Sequence, residues 1–289
     1  MVDRCKSISE INYLRRDKNA AKVLLTKLAK NRPEIAKECE EHIKWIDTVY
    51  TQALNEKAKE LRGYTIEESG IDIVNEAAIK YTDYDLSVNG KKYFPVFVLL
   101  THTGTTLATA IKKFTGDPYS HVSISFDSSL ENMYSFGRKY KDGKLVGSFV
   151  IENIRTGLFK NVADRATYSI YVTFVTEEEK ELMEEKLRYF IDNKDSFKYN
   201  FRGLILHSLG IQSERDDAYF CSQFVDIVLS ASGKDYFKQH HSMVRPYDFA
   251  RHKDFHFVAK GLLKNYDHHK VDYKARQIFE KLYVDKLTR

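Results

Sequence analysis

The run Pro118-Tyr119-Ser120-His121-Val122-Ser123-Ile124-Ser125-Phe126 alternates apolar Val122, Ile124 and Phe126 with polar His121, Ser123 and Ser125. A two-residue period puts each set on its own face of a strand. Before it, Thr105 to Phe114 has helical spacing (Leu107, Ala110, Ile111, Phe114) and stops at Gly116-Asp117-Pro118. Further back, Asn89-Gly90 separates Leu86-Ser87-Val88 from Tyr93-Phe94-Pro95-Val96-Phe97-Val98, a hairpin signal between strand-like runs. Thr65 to Thr82 reads as a short helix weakened by Gly70. Downstream, Met133–Phe136, Ser148–Ile154 and Thr167–Val175 are further strand candidates. Thr176-Glu177-Glu178-Glu179 then opens a long helix to about Asp192, with a hydroxyl at the cap and acids in the first turn. A last clear helix begins near Cys221, carries Phe224, Val225, Val228 and Leu229 on one stripe, and is followed by Gly233. Strands clustered between flanking helices predict an α+β domain around an antiparallel sheet, not a βαβ repeat.

The N-terminal part differs. Residues from about Ser9 to Arg62 contain no glycine, one proline and many good helix formers. Ile11, Leu14, Ala21, Leu24, Leu25 and Leu28 form one stripe, and after Asn31-Arg32-Pro33 it resumes with Ile35, Cys39, Ile43, Ile46, Val49, Tyr50 and Leu54. Two such helices joined by so short a turn predict an antiparallel hairpin that ends at Gly63 and packs on the main domain or on a partner. The domain reading is a hairpin extension over 1–63 and a main domain over 64–289.

Composition excludes several classes. A 43% hydrophobic and 13% aromatic content in 289 residues suffices for a sizeable core and rules out disorder as the main state. The longest apolar run, Val96 to Leu100, falls far short of the roughly 20 residues that cross a bilayer. No apolar stretch follows Met1, which predicts no secretory signal and a cytoplasmic location. A net charge of +5 is too mild to indicate nucleic acid. Cys5, Cys39 and Cys221, odd in number and far apart, form neither a disulfide framework nor a metal pattern. Cys39, on the apolar stripe with His42 beside it, reads as core packing.

Cys221 is different. In Tyr219-Phe220-Cys221-Ser222-Gln223-Phe224-Val225 it stands at a helix start, where backbone N–H groups and the dipole favour a thiolate. The same N–H groups can take the negative charge of a tetrahedral intermediate. A strand-held imidazole such as His121, facing a helix-held thiol, is how a Cys–His pair activates its nucleophile. Against this stands the plainer reading of a buried cysteine at a core helix and a histidine at a strand start.

The stretch from Phe114 to Ile124 resembles the histidine motif of the circularly permuted NlpC-type cysteine hydrolases, a papain-like superfamily that includes the lecithin:retinol acyltransferase-like enzymes. In that branch the histidine strand precedes the cysteine helix, as His121 precedes Cys221 here. Phe220-Cys221-Ser222-Gln223-Phe224-Val225 resembles the branch's cysteine motif, and Arg245-Pro246-Tyr247-Asp248-Phe249 its closing Pro-x-Asp segment. The helix before the histidine strand agrees too. The resemblance covers roughly Tyr93 to Gly261, leaves out the hairpin, and implies a papain-like α+β fold with Cys221 and His121 as catalytic pair.

The family places a polar, ring-orienting residue on the strand after the histidine strand. Here that strand is Glu131-Asn132-Met133-Tyr134-Ser135-Phe136-Gly137, and the family's pattern sets Met133 two places before Ser135. Ser135 brings no charge. Glu131, on the same face, would bring one but stands early, and Glu152 on the next strand is a further candidate. The order of expectation is Ser135, then Glu131. An uncharged orienter implies a weaker ion pair and a slower enzyme, or a binding protein with a relict site.

Other candidates carry less. His102 ends a strand and could line the same cleft; His207 falls on an apolar helical stretch and reads as core. His240-His241 and His268-His269 read as solvated surface without metal-ligand spacing. Tyr199 and Tyr219 read as packing, or as cleft walls through the resemblance. The expected activity is a thiol hydrolase or acyltransferase working through an acyl-cysteine, foremost a peptidase or amidase, with no metal or organic cofactor required. Its substrate would be a peptide amide or an acyl lipid. The rivals are a non-catalytic interaction module, with the hairpin binding a protein partner, and an acyl-lipid binder without turnover.

Overall fold

A computed structural model describes residues 19, 22–61, 79–81, 86–103, 117–141 and 144–285. The helix expected over Thr105–Phe114 and residues 65–78 of the one expected before Leu86 lie outside the described residues, as does the first half of the opening hairpin helix. Ile79–Tyr81 are not helical. Among the described residues, no helix is long and apolar enough to cross a membrane.

The molecule is mixed α+β, built on a seven-stranded antiparallel sheet. Strands β1 (Ser87–Val88) and β2 (Lys91–His102) form the hairpin at Asn89-Gly90. Both turn residues have positive φ, 51° and 74°, the backbone that Asn-Gly adopts most readily. Then come β3 (His121–Ser125), β4 (Met133–Lys141), β5 (Lys144–Glu152), β6 (Thr167–Thr176) and β9 (His256–Leu262), in spatial order β5-β4-β3-β2-β6-β9, with β1 on β2. Short β7 (Lys198–Tyr199) and β8 (Ala218–Tyr219) pair in parallel apart from it.

Helices cover both faces, which explains the Val96–Leu100 run: β2 is central, and this stretch of it is buried on either side. Beneath one face lie α4 (Glu177–Asp192) and α6 (Cys221–Ser230), whose Met183, Leu187, Phe190, Phe224, Val225 and Val228 meet Val98, Ile124 and Phe136 of the sheet. Phe190 and Phe224 meet edge-on at 4.9 Å, and burying each ring contributes about 2–3 kcal/mol. On the other face, Phe159 of α3 (Gly157–Val162) and Val271, Ala275 and Phe279 of α8 (His268–Phe279) pack on Leu99, Met133, Ile170 and Val172. The expected cap on α4 forms as a reciprocal box: Thr176 Oγ1 accepts from the Glu179 N–H, and Glu179 accepts from the Thr176 N–H.

At the N-terminus, α1 (residues 22–31) and α2 (Ala36–Leu61) share a small core of Leu25, Cys39 and Ile46, and Lys22 pairs with Asp47 at 2.7 Å across them. Leu209, at the end of α5 (Phe201–Ser208), packs against that core, so the hairpin leans on the main domain. Cys39 is fully buried there, and burial pushes its thiol pKa up.

Candidate active site

His121 is the first residue of β3, and Cys221 the first of α6. They are a hundred positions apart in sequence and come within hydrogen-bonding reach of one another. The ring touches both layers of the fold. Cys221 belongs to the core beneath one face, while Phe159, 6.5 Å from the His121 ring, belongs to the core on the other. The sheet is loose where this happens: β3 and β4 share one registered pair, Ile124 with Tyr134.

Continuing that register sets Gly137 opposite His121. A Cβ built on Gly137 would stand 3.4 Å from the ring's Cε1, 3.3 Å from Val150 Cγ2 and 3.7 Å from Glu152 Oε1. Because Gly137 has no side chain, Glu152 on β5 reaches over β4 to the histidine on β3. His121 Nε2–H donates to its carboxylate, 3.1 Å to Oε1 and 3.0 Å to Oε2. Ser123 donates to Glu152 Oε2 at 2.6 Å and has its Oγ 3.3 Å from the same Nε2, fixing the carboxylate against the ring. With Nε2 engaged, Nδ1 is the ring nitrogen left for the thiol.

This corrects both leading expectations for the orienting group. Ser135, fully buried, donates instead to the Val122 carbonyl at 2.6 Å and so laces β4 to β3. Glu131 precedes β4 and pairs with Lys80 at 2.8 Å at the surface. The third-ranked carboxylate, Glu152, is the ring's partner. The overlooked signal was the pair of small residues, Ser135 and Gly137, alternating on β4: they open a path for a long side chain from one strand further away.

Burial by itself draws the His121 pKa down. The negative charge of Glu152, hydrogen bonds that the ring donates to Cys221 and Glu152, and charge on the sulfur outweigh it and carry the value up to about 10. At neutral pH the ring is an imidazolium. Cys221 is 5% exposed and opens onto a cleft of about 410 Å³, its solvent-facing part included. Tyr119, Tyr199, Phe220, His207 and Arg245 line that cleft. No side chain caps α6 at Phe220, so its first N–H groups are not consumed by a cap. Ser222 anchors the helix start by donating to the Val244 carbonyl at 2.6 Å.

The loop leading into β3 is tied to the segment that closes the cleft. Asp117, buried, accepts from the Tyr119 N–H at 2.8 Å and from the Tyr247 N–H, in α7 (Pro246–Arg251), at 3.1 Å. His207 is buried as expected, with Nδ1–H donating to the Ser242 carbonyl at 2.7 Å, and it also faces the cleft, which its apolar helical context concealed. Burial lowers its pKa and keeps it neutral. His102 ends β2 and is not among the lining residues. His241 is more than solvated surface, since its Nδ1 lies 2.6 Å from Asp226 Oδ2 on α6. Tyr199 lines the cleft, whereas Tyr219 packs among Phe136, Phe190 and Phe197. No group of metal-ligating side chains forms among the described residues. In comparisons with known proteins, no family model matches the chain, and no curated protein matches it.

Proposed function

We propose that this protein is a thiol hydrolase or acyltransferase of papain-like, permuted NlpC type, with Cys221 as nucleophile, His121 as proton carrier and Glu152 as the residue that orients and charges the ring. The observation that carries the reading is the chain of contacts Glu152–His121–Cys221, ending at a helix N-terminus on a cleft. The sulfur stands between an imidazolium and the N–H groups of a helix start, both of which would stabilise negative charge that develops there. The thiolate attacks an amide or ester carbonyl. The S–C bond forms as the carbonyl electron pair moves to oxygen, where the N–H groups at the start of α6 stabilise it. Collapse breaks the C–N or C–O bond while the His121 proton passes to the leaving atom. Neutral His121 then takes a proton from water, or from an acceptor amine or alcohol, whose attack on the acyl-cysteine restores the thiolate. The scaffold reading leaned on an uncharged orienter, and the Glu152 carboxylate removes that support.

The test is alkylation of Cys221 across pH. Cys221 should react faster than a free cysteine and lose that advantage in His121→Ala. A thiol of ordinary behaviour, indifferent to His121→Ala, refutes the reading. Intact-mass detection of an acyl adduct on Cys221, compared between peptide and lipid-like acyl donors, then separates the substrate classes.

A further inference from the structure

The cleft holds a guanidinium that no side chain hydrogen-bonds among the described residues. Arg245 lines it beside Cys221, is exposed, and forms no ion pair among the described residues. The carboxylates around it are spent on other donors. Asp117 uses one oxygen for the Tyr119 N–H and the other for the Tyr247 N–H. Asp248 Oδ2 accepts the Arg245 backbone N–H at 2.9 Å and Gln239 Nε2 at 3.4 Å, leaving the guanidinium unpaired. His207, the histidine in the lining, is kept neutral by burial. Asp117 feels the charge of Arg245 across the cleft but spends its hydrogen bonds elsewhere, so the guanidinium still presents planar, paired donors suited to a carboxylate or phosphate.

We propose that Arg245 sets the specificity of this cleft, binding an anionic group (a carboxylate or a phosphate) that the substrate carries close to the bond Cys221 attacks. The inference rests on the thiol-acyl reading for the word substrate, and on the cleft alone for the anion. Tyr119, which lines the cleft on the Asp117 clasp, would flank the bound group.

The experiment compares Cys221 alkylation by iodoacetate and by iodoacetamide in the full chain, each rate referred to glutathione. The anionic reagent should be favoured in the wild type. That preference should fall about fivefold in Arg245→Gln, the weight of one screened charge contact, and largely survive in Arg245→Lys. In parallel, thermal stabilisation by N-acetylglutamate and by glycerol 3-phosphate is measured against neutral N-acetylglutamine. Stabilisation by the first identifies a carboxylate subsite and by the second a phosphate subsite, provided Arg245→Gln abolishes it. If Cys221 resists both alkylating reagents while a charged compound still stabilises through Arg245, the anion subsite stands and the thiol chemistry falls. If neither assay shows a charge preference that depends on Arg245, the proposal is overturned, however reactive the thiol.

Discussion

Two histidine–carboxylate pairs meet the same helix, and the tighter one is not the candidate active site. His241 Nδ1 lies 2.6 Å from Asp226 Oδ2, near the middle of α6, while His121 Nε2 lies 3.0 Å from Glu152 Oε2 and meets the first residue of α6 through its other side. The His241–Asp226 pair ties the 3-10 turn His241–Met243 to the helix, in parallel with the Ser222–Val244 bond. Its histidine side chain is 43% exposed, against 15% for His121. A short histidine–carboxylate contact is therefore no signature of chemistry in itself. What distinguishes His121 is the thiol on its far side and the cleft in front of that thiol.

Neutralising each carboxylate in turn gives the sharpest contrast. Glu152→Gln leaves the ring held but removes the charge that keeps it protonated, so Cys221 alkylation near neutral pH, and any acyl transfer, should drop by about a hundredfold or more. Asp226→Asn should leave thiol reactivity within about twofold of wild type, since it touches neither ring nor sulfur. Its cost is in stability. A fully buried pair broken on one side costs about 3–5 kcal/mol and an exposed one under about 1, so a half-exposed histidine on a buried aspartate predicts about 1–2. Kinetics of iodoacetamide labelling and denaturant melts on both variants check this. Equal losses of reactivity would erase the distinction between the pairs.

A smaller effect probes why the Glu152 contact can form. Gly137 has no left-handed φ, so its backbone admits any residue, yet an added Cβ would press on Val150 at 3.3 Å and on the His121 ring at 3.4 Å. The ring is held between a carboxylate and a sulfur, and a displacement of a few tenths of an ångström moves it off one of them. Gly137→Ala should lower Cys221 reactivity about tenfold while stability changes by less than about 1 kcal/mol, because reduced freedom of the unfolded chain offsets the crowding. Loss of stability without loss of reactivity would show Gly137 to be a packing position only.

That glycine also marks the limit of what the sequence disclosed. Local signals survived intact: the Asn89-Gly90 turn, the Thr176–Glu179 box and the alternation around His121 are fixed within a few residues, and each forms as read. His121 and Cys221 were also legible, one from a strand start and the other from a helix start. Strand β9 was missed because His256-Phe257-Val258-Ala259-Lys260-Gly261-Leu262 lies at the sheet edge, where its solvent side needs no apolar period, and a register shift against Ile170/Tyr171 blurs it further. The partner of the His121 ring was misplaced for a non-local reason. Choosing among Ser135, Glu131 and Glu152 required knowing that a side chain two strands away could cross β4, which depends on two registers at once.

The smallest effect is a slope in stability against pH. His121 has a folded pKa raised to about 10 from an ordinary 6.5. A group raised on folding binds its proton more tightly in the native state, so its stabilisation is complete below about 6.5 and is lost as pH climbs through about 10. His241, raised by its Asp226 bond, acts with the same sign. Subtracting variants separates them. The stability difference between wild type and Glu152→Gln should be flat below about pH 6.5 and shrink steadily toward about pH 10, whereas Asp226→Asn should retain the His121 part of the wild-type decline. Denaturant melts at a series of pH values read both slopes. A Glu152→Gln difference that widened with rising pH would mean that the native state holds His121 neutral. The imidazolium that distinguishes this pair in function would then be absent, leaving two structural clasps on one helix.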